Sequence, residues 1–147
     1  MPVFAKQLHL PYSPRQMFDL VADIESYPRF LPHFVFARIL QREGNRLLVE
    51  QQVKFKLLRF TFRTEANFEP PHRIDIVCRD SPFGSFTDQW SFEEDPSGGT
   101  LLRCRTEVNL RPGMLRTLLP VFLEESSRKT VQAFEKRAAE LYTRSST

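Results

Sequence analysis

LRFTFRTEANFE, residues 58–69, decides how this chain folds. Leu58, Phe60, Phe62, Ala66 and Phe68 alternate with Arg59, Thr61, Arg63, Glu65, Asn67 and Glu69. Successive side chains of a strand point to opposite faces, so this pattern predicts a half-buried antiparallel strand, one face on a core and one in water. The preceding run, RLLVEQQVKF (46–55), places Leu47, Val49, Val53 and Phe55 on one side, with Gln51 interrupting the row. Turn signals at Glu43-Gly44-Asn45, Pro70-Pro71 and Pro96-Ser97-Gly98-Gly99 punctuate further strands near 33–42, 72–80, 84–94 and 100–110. With an initial strand at about 2–10 there are seven, and their short connections predict a meander.

Helical patterns flank these strands. Ser13-Pro14-Arg15-Gln16 is a helix start, with Ser as cap, Pro at the first helical position and Gln16 where a capping box needs it. The helix is expected to run to about Asp23, with Met17, Phe18, Val21 and Ala22 on its apolar side. Pro28 and Pro32 then allow only a short helical turn or two, which carries Tyr27, Phe30 and Leu31. Beyond Arg111-Pro112-Gly113, Leu115, Leu118, Leu119, Phe122, Val131, Phe134, Ala138 and Leu141 recur at helical spacing to about Tyr142. Pro120 predicts a kink or a division of that helix. One apolar sheet face and one long amphipathic helix cover each other most economically if the sheet curls around the helix, an α+β arrangement in one domain spanning 1–147. Incomplete closure leaves an apolar pocket, with residues 23–34 placed as its lid.

Composition narrows the function. Of 18 aromatic residues 14 are Phe, which brings apolar area without a polar handle and favours apolar packing or an apolar cavity. No apolar run approaches the ~20 residues of a membrane span, and MPVFAKQLHLPY lacks the pattern of a signal peptide, so a cytoplasmic protein is expected. Cys78 and Cys104 lie in different strands and read as reduced structural thiols. The net charge is +3, with nine Lys/Arg against five Asp/Glu in residues 38–79, a basic face suited to anionic lipid or RNA or simply solvated.

The chemistry-bearing residues are sparse. His9, His33 and His72 have no partner at metal-ligand spacing, and no nucleophile elbow, P-loop or dinucleotide fingerprint occurs. Asp19, Asp23 and Glu25 read as solvated surface. In SPFGSFTDQWSF (81–92), Phe86, Trp90 and Phe92 share one face. Trp90 and Phe92 read as core packing, Phe83 and Phe86 as the mouth of a pocket.

Three segments together resemble the coenzyme-Q-binding START-like family of small helix-grip (SRPBCC) domains, which has oligoketide cyclase, lipid-transport and ribosome-association toxin members. They are MFDLVADIESYPRFLP (17–32), PFGSFTDQWSFEE (82–94) and VQAFEKRAAELY (131–142), in the family's order and across nearly the whole chain. The chain departs from the family pattern at His33 and Phe34, where Trp and Cys are expected, and at Ser81, where Gly is common. The resemblance implies a seven-stranded curved antiparallel sheet gripping the C-terminal helix around an apolar tunnel. It further implies a hydrophobic ligand, ubiquinone or another prenyl lipid, bound without catalysis and without a required cofactor. The ligand-binding set expected on this basis is Tyr27, Phe30, Leu31, Phe34, Phe83, Phe86, Trp90, Leu115, Leu118, Leu119 and Phe122, with the Tyr27 hydroxyl donating to a quinone carbonyl. No residue is assigned to catalysis or to a metal. Expected partners are a quinone or lipid and a transient contact at the inner-membrane surface, with no DNA. The alternatives are a ribosome-associated regulator of translation, then a polyketide cyclase or dehydrase.

Overall fold

The computed structural model describes residues 3–55, 57–82, 84–114 and 119–142. Seven strands, β1 (Val3–Leu10), β2 (Phe34–Glu43), β3 (Arg46–Phe55), β4 (Leu58–Glu69), β5 (Arg73–Ser81), β6 (Gly84–Glu94) and β7 (Thr100–Leu110), form one antiparallel sheet in the order β1-β7-β6-β5-β4-β3-β2. Strands β2 to β7 form the expected meander, and β1 reaches β7 because the helical segment between β1 and β2 carries the chain across the sheet. Register shifts within β2, and between β5 and β6, are bulges that bend the ladder where it must curve.

In β4 the alternation holds from Phe62 onward, and Thr64, 3% exposed, continues the inward row between Phe62 and Ala66. Leu58, expected inward, is instead 58% exposed at the first position of β4, beside the β3–β4 turn. Cys78 and Cys104 are buried free thiols on β5 and β7, with β6 between them.

Helix α1 (Pro14–Ala22) starts as its sequence predicts. The Gln16 N–H donates to Ser13 Oγ at 3.1 Å, and the Ser13 N–H donates to Gln16 Oε1 at 2.9 Å. Met17, Phe18, Leu20 and Val21 are buried, and the Phe18 ring meets Phe68 and Phe92 edge to face at 5.9 and 5.8 Å. A corner at the start of β7 fixes the approach of this helix. Thr100, fully buried, donates to the Tyr12 carbonyl at 2.6 Å, and a Cβ on Gly99, at φ +79°, would collide with the Leu10 carbonyl. A 3-10 helix (Ile24–Arg29) follows, with Pro28 inside it, and the Ile39 N–H donates to Glu25 at 3.0 Å, tying it to β2.

Helix α2 is described over Leu119–Tyr142 and includes Pro120. The short apolar piece expected ahead of it, 115–118, lies outside the described residues. Val131, Phe134 and Ala138 are buried against the sheet, as their spacing predicts. The Tyr142 hydroxyl donates to the Gln16 carbonyl at 2.8 Å and fastens the far end of α2 to α1.

Candidate functional site

Phe134 is the hub of the site. Its ring, 2% exposed, meets Trp90 of β6 at 5.3 Å, Phe30 at 5.4 Å and Tyr27 at 5.5 Å, all near perpendicular. Such edge-to-face pairs each add about 0.5–1.5 kcal/mol to the burial of the rings. Tyr27 also meets Phe34 at 5.5 Å, so one aromatic cluster joins α2, the 3-10 helix, β2 and β6.

Beside this cluster lies a largely apolar cavity of about 160 Å3 between α2 and the inner sheet face. The 3-10 helix and the turn after it contribute Tyr27, Leu31, Pro32 and His33; the sheet contributes Phe4, Phe34, Val53, Phe60, Phe62, Ile76, Phe86, Trp90 and Val108; α2 contributes Val131 and Phe134 together with the hydroxyl residues Ser126, Ser127 and Thr130. A cavity near 150 Å3 takes up benzene, so this one has room for about one ring.

Of the residues expected from sequence, Tyr27, Leu31, Phe34, Phe86 and Trp90 line the cavity. Phe30 does not: it stacks on the outer side of Phe134 and Tyr27, with the Arg137 guanidinium 5.6 Å from its ring centre. Phe83, Leu115 and Leu118 lie outside the described residues, as do the side chains of Leu119 and Phe122. Tyr27 departs from expectation in one respect. Its hydroxyl donates to the Val21 carbonyl, so its proton is committed to holding the 3-10 helix on α1 and is not offered to a ligand. Burial, with Asp88 and Asp23 as further causes, holds that phenol far above its ordinary range.

Sequence reasoning missed the polar floor of the cavity. Asp88 lies between Phe86 and Trp90 on the inward face of β6, opposite Thr106 of β7, whose hydroxyl donates to it at 2.5 Å. Burial pushes the Asp88 carboxyl up to about 6, against a smaller opposing effect of the Thr106 bond. Gln51, noted as a break in the β3 row, and Cys104 face the same space. Burial pushes the Cys104 thiol up to about 12, which leaves it protonated and unreactive. At the mouth, His33 has φ +72°, and burial followed by the nearby Lys129 lowers its imidazole below the ordinary value. Period two held the signal for Asp88, since residues 86, 88 and 90 must share a face.

Known proteins share this architecture. A START superfamily protein from Mycobacterium smegmatis superimposes with a TM-score of 0.80 at 18% identity, covering 95% of this chain and 98% of that one. The chain is 32% identical over 136 residues to the ribosome association toxin RatA of Rickettsia prowazekii, across 90% of this chain and 92% of the relative. It is 29% identical over 140 residues to the mitochondrial coenzyme Q-binding protein COQ10 homolog B of Xenopus laevis, across 92% of this chain and 57% of that protein. Residues 10–135 match the family described as polyketide cyclase / dehydrase and lipid transport, and with a START-like helix-grip fold around an apolar cavity the chain belongs to that family.

Proposed function

We propose that this protein binds and carries an amphipathic hydrophobic ligand, a prenyl quinone or a lipid of similar shape, without transforming it. The cavity carries this reading: it is apolar over most of its wall and large enough for a head-group ring. The similarity to a coenzyme Q-binding protein supports the choice of a quinone. A tail would leave through the mouth, past Leu31 and His33, or enter as the 3-10 helix lifts. Each apolar side chain buried against it contributes about 1.5–3 kcal/mol, so a few contacts give useful affinity without charge.

A second reading, association with ribosomes, has its own observation. On the outer face of the sheet Glu50 is shared by Arg38 (2.7 Å) and Arg63 (3.6 Å), and Glu65 by Arg79 (2.9 Å) and Arg46 (3.0 Å). Four arginines against two carboxylates leave a positive surface, and the RatA relative carries ribosome association in its name. Gentle purification from a native host, with organic extraction and mass spectrometry of one half and sucrose-gradient sedimentation of the other, separates the two. A stoichiometric prenyl lipid is the expected result. An empty protein that sediments with ribosomal subunits and leaves them steeply as salt rises, as phosphate contacts do, would overturn the carrier reading in favour of the second.

A carrier must meet a membrane, and the β3–β4 turn suits that contact. Leu57 is 96% exposed, and Lys54 and Arg59 pair across the hairpin beside it. Basic residues near an anionic surface contribute about 1 kcal/mol each, and an inserted leucine about 1.5–3. Leu57→Asp is expected to weaken co-sedimentation with phosphatidylserine vesicles by about tenfold or more. Unchanged co-sedimentation would remove the hairpin from the membrane contact.

A further inference from the structure

Asp88 is an expensive residue to keep where it is. A carboxyl half-buried among Phe, Trp, Ile and Val side chains has lost part of its hydration, and among the described residues Thr106 donates to it in return. Among the described residues no lysine or arginine lines the cavity. The titratable groups that face Asp88's space are Tyr27 from the 3-10 helix and Cys104 from β7, both held neutral by burial, with His33 at the mouth beside Lys129 and Glu125 of α2. Ile76 is its cross-strand neighbour on β5 and brings no charge. An ionised carboxylate only accepts hydrogen bonds, and a single hydroxyl from Thr106 leaves most of its lone pairs open toward the cavity.

We propose that Asp88, positioned by Thr106, is the head-group anchor of this cavity and selects ligands that present a hydroxyl donor, a phenol or hydroquinone ring, over rings that carry only acceptors or no polar group. The proposal rests on the reading that the cavity takes an apolar ligand, and it specifies which end of that ligand lies deepest. A hydroxyl reaching the carboxylate forms a charge-assisted bond in a largely apolar site, which corresponds to about a tenfold to hundredfold gain in affinity. A quinone carbonyl in the same place would set acceptor against acceptor. Between the two redox forms of a quinone, the cavity therefore holds the reduced one. The preference depends on pH: as Asp88 gains its proton the carboxyl becomes a donor itself, and the advantage of a hydroxyl ligand shrinks.

Calorimetric titration with para-butylphenol and the similarly sized para-butylfluorobenzene tests this, between about pH 5 and pH 8, where the phenol stays neutral. The wild-type chain should bind the phenol at least about tenfold more tightly at the upper end, with the advantage falling toward the lower end. Asp88→Asn should bring the two probes within about threefold and abolish the pH dependence, which also separates Asp88 from His33. Thr106→Val, which removes the hydroxyl that Thr106 donates to the carboxylate, should move the midpoint of the dependence upward, a shift that a merely structural role would not produce. Equal binding of both probes at every pH, unaltered by Asp88→Asn, would overturn the anchor and leave the apolar-ligand reading standing. Failure of both probes to bind the wild-type chain would overturn that reading and the anchor with it.

Discussion

Phe134→Ala is expected to lower the stability of the chain by about 3–5 kcal/mol, the range for removing a fully buried aromatic ring. Phe134 touches Trp90 on the sheet, Tyr27 on the 3-10 helix and Phe30 just after it, so its loss opens a void where α2, the sheet and the 3-10 helix meet. Collapse into that void is limited. Tyr27 is held by its bond to Val21, and Trp90 is fixed in the ladder opposite Cys104. Total stabilities of single domains are about 5–15 kcal/mol, so the variant should still fold at low temperature while melting roughly 6–20 °C lower. Trp90, the only tryptophan, lies against the void and reports on it: its emission should shift to the red before global unfolding, as water reaches the cavity. Urea denaturation followed by that fluorescence measures both effects. A loss below about 1 kcal/mol would mean that the aromatic cluster does not hold α2 on the sheet.

The strands were legible because each keeps one face wet. Alternation in β4 and β3 fixed their faces, and turn residues fixed their ends to within a residue or two. Exceptions have physical causes. Leu58 obeys the period but sits at the strand's end beside the turn, and no local pattern says where the buried face of a strand stops. Tyr27 was legible as an apolar lid residue, but the fate of its hydroxyl depends on how tightly the 3-10 helix folds back on α1, a tertiary fact. The spacing of Phe30 could not say whether its ring would face the cavity or lie behind Phe134. Asp88 is different in kind. Its face followed from the strand period, but a charged residue flanked by Phe86 and Trp90 reads locally as a break in an apolar row, as Gln51 does in β3. A place where the sequence contradicts the binary pattern of its own strand is where a ligand-facing group is expected.

Asp88→Asn is expected to stabilise the ligand-free protein at neutral pH and not at acid pH, and the sign follows from linkage. The carboxyl ionises at about 6 in the folded chain, against an ordinary 3.8. Between those values the folded state holds a proton that the unfolded state has lost, so stability falls as pH rises through the window and is level above it. At about 1.4 kcal/mol per pH unit the ionised carboxyl costs the fold roughly 3 kcal/mol above pH 6, less whatever water in the cavity recovers. An asparagine of the same shape carries no such penalty. The difference in unfolding free energy between variant and wild type should therefore grow by about 2–3 kcal/mol from pH 4 to pH 8, most of it between 4 and 7. Acid-labile contributions elsewhere, such as Asp95, held down to about 2 chiefly by its bond to His9, are common to both proteins and cancel in the comparison. Urea unfolding across that range measures the difference. A constant difference would show that Asp88 is hydrated in the folded chain, and the dry head-group site would lose its foundation. A difference that grows as expected identifies a carboxyl kept at the expense of stability, and a saturating hydroxyl ligand should recover part of that cost by binding the ionised form.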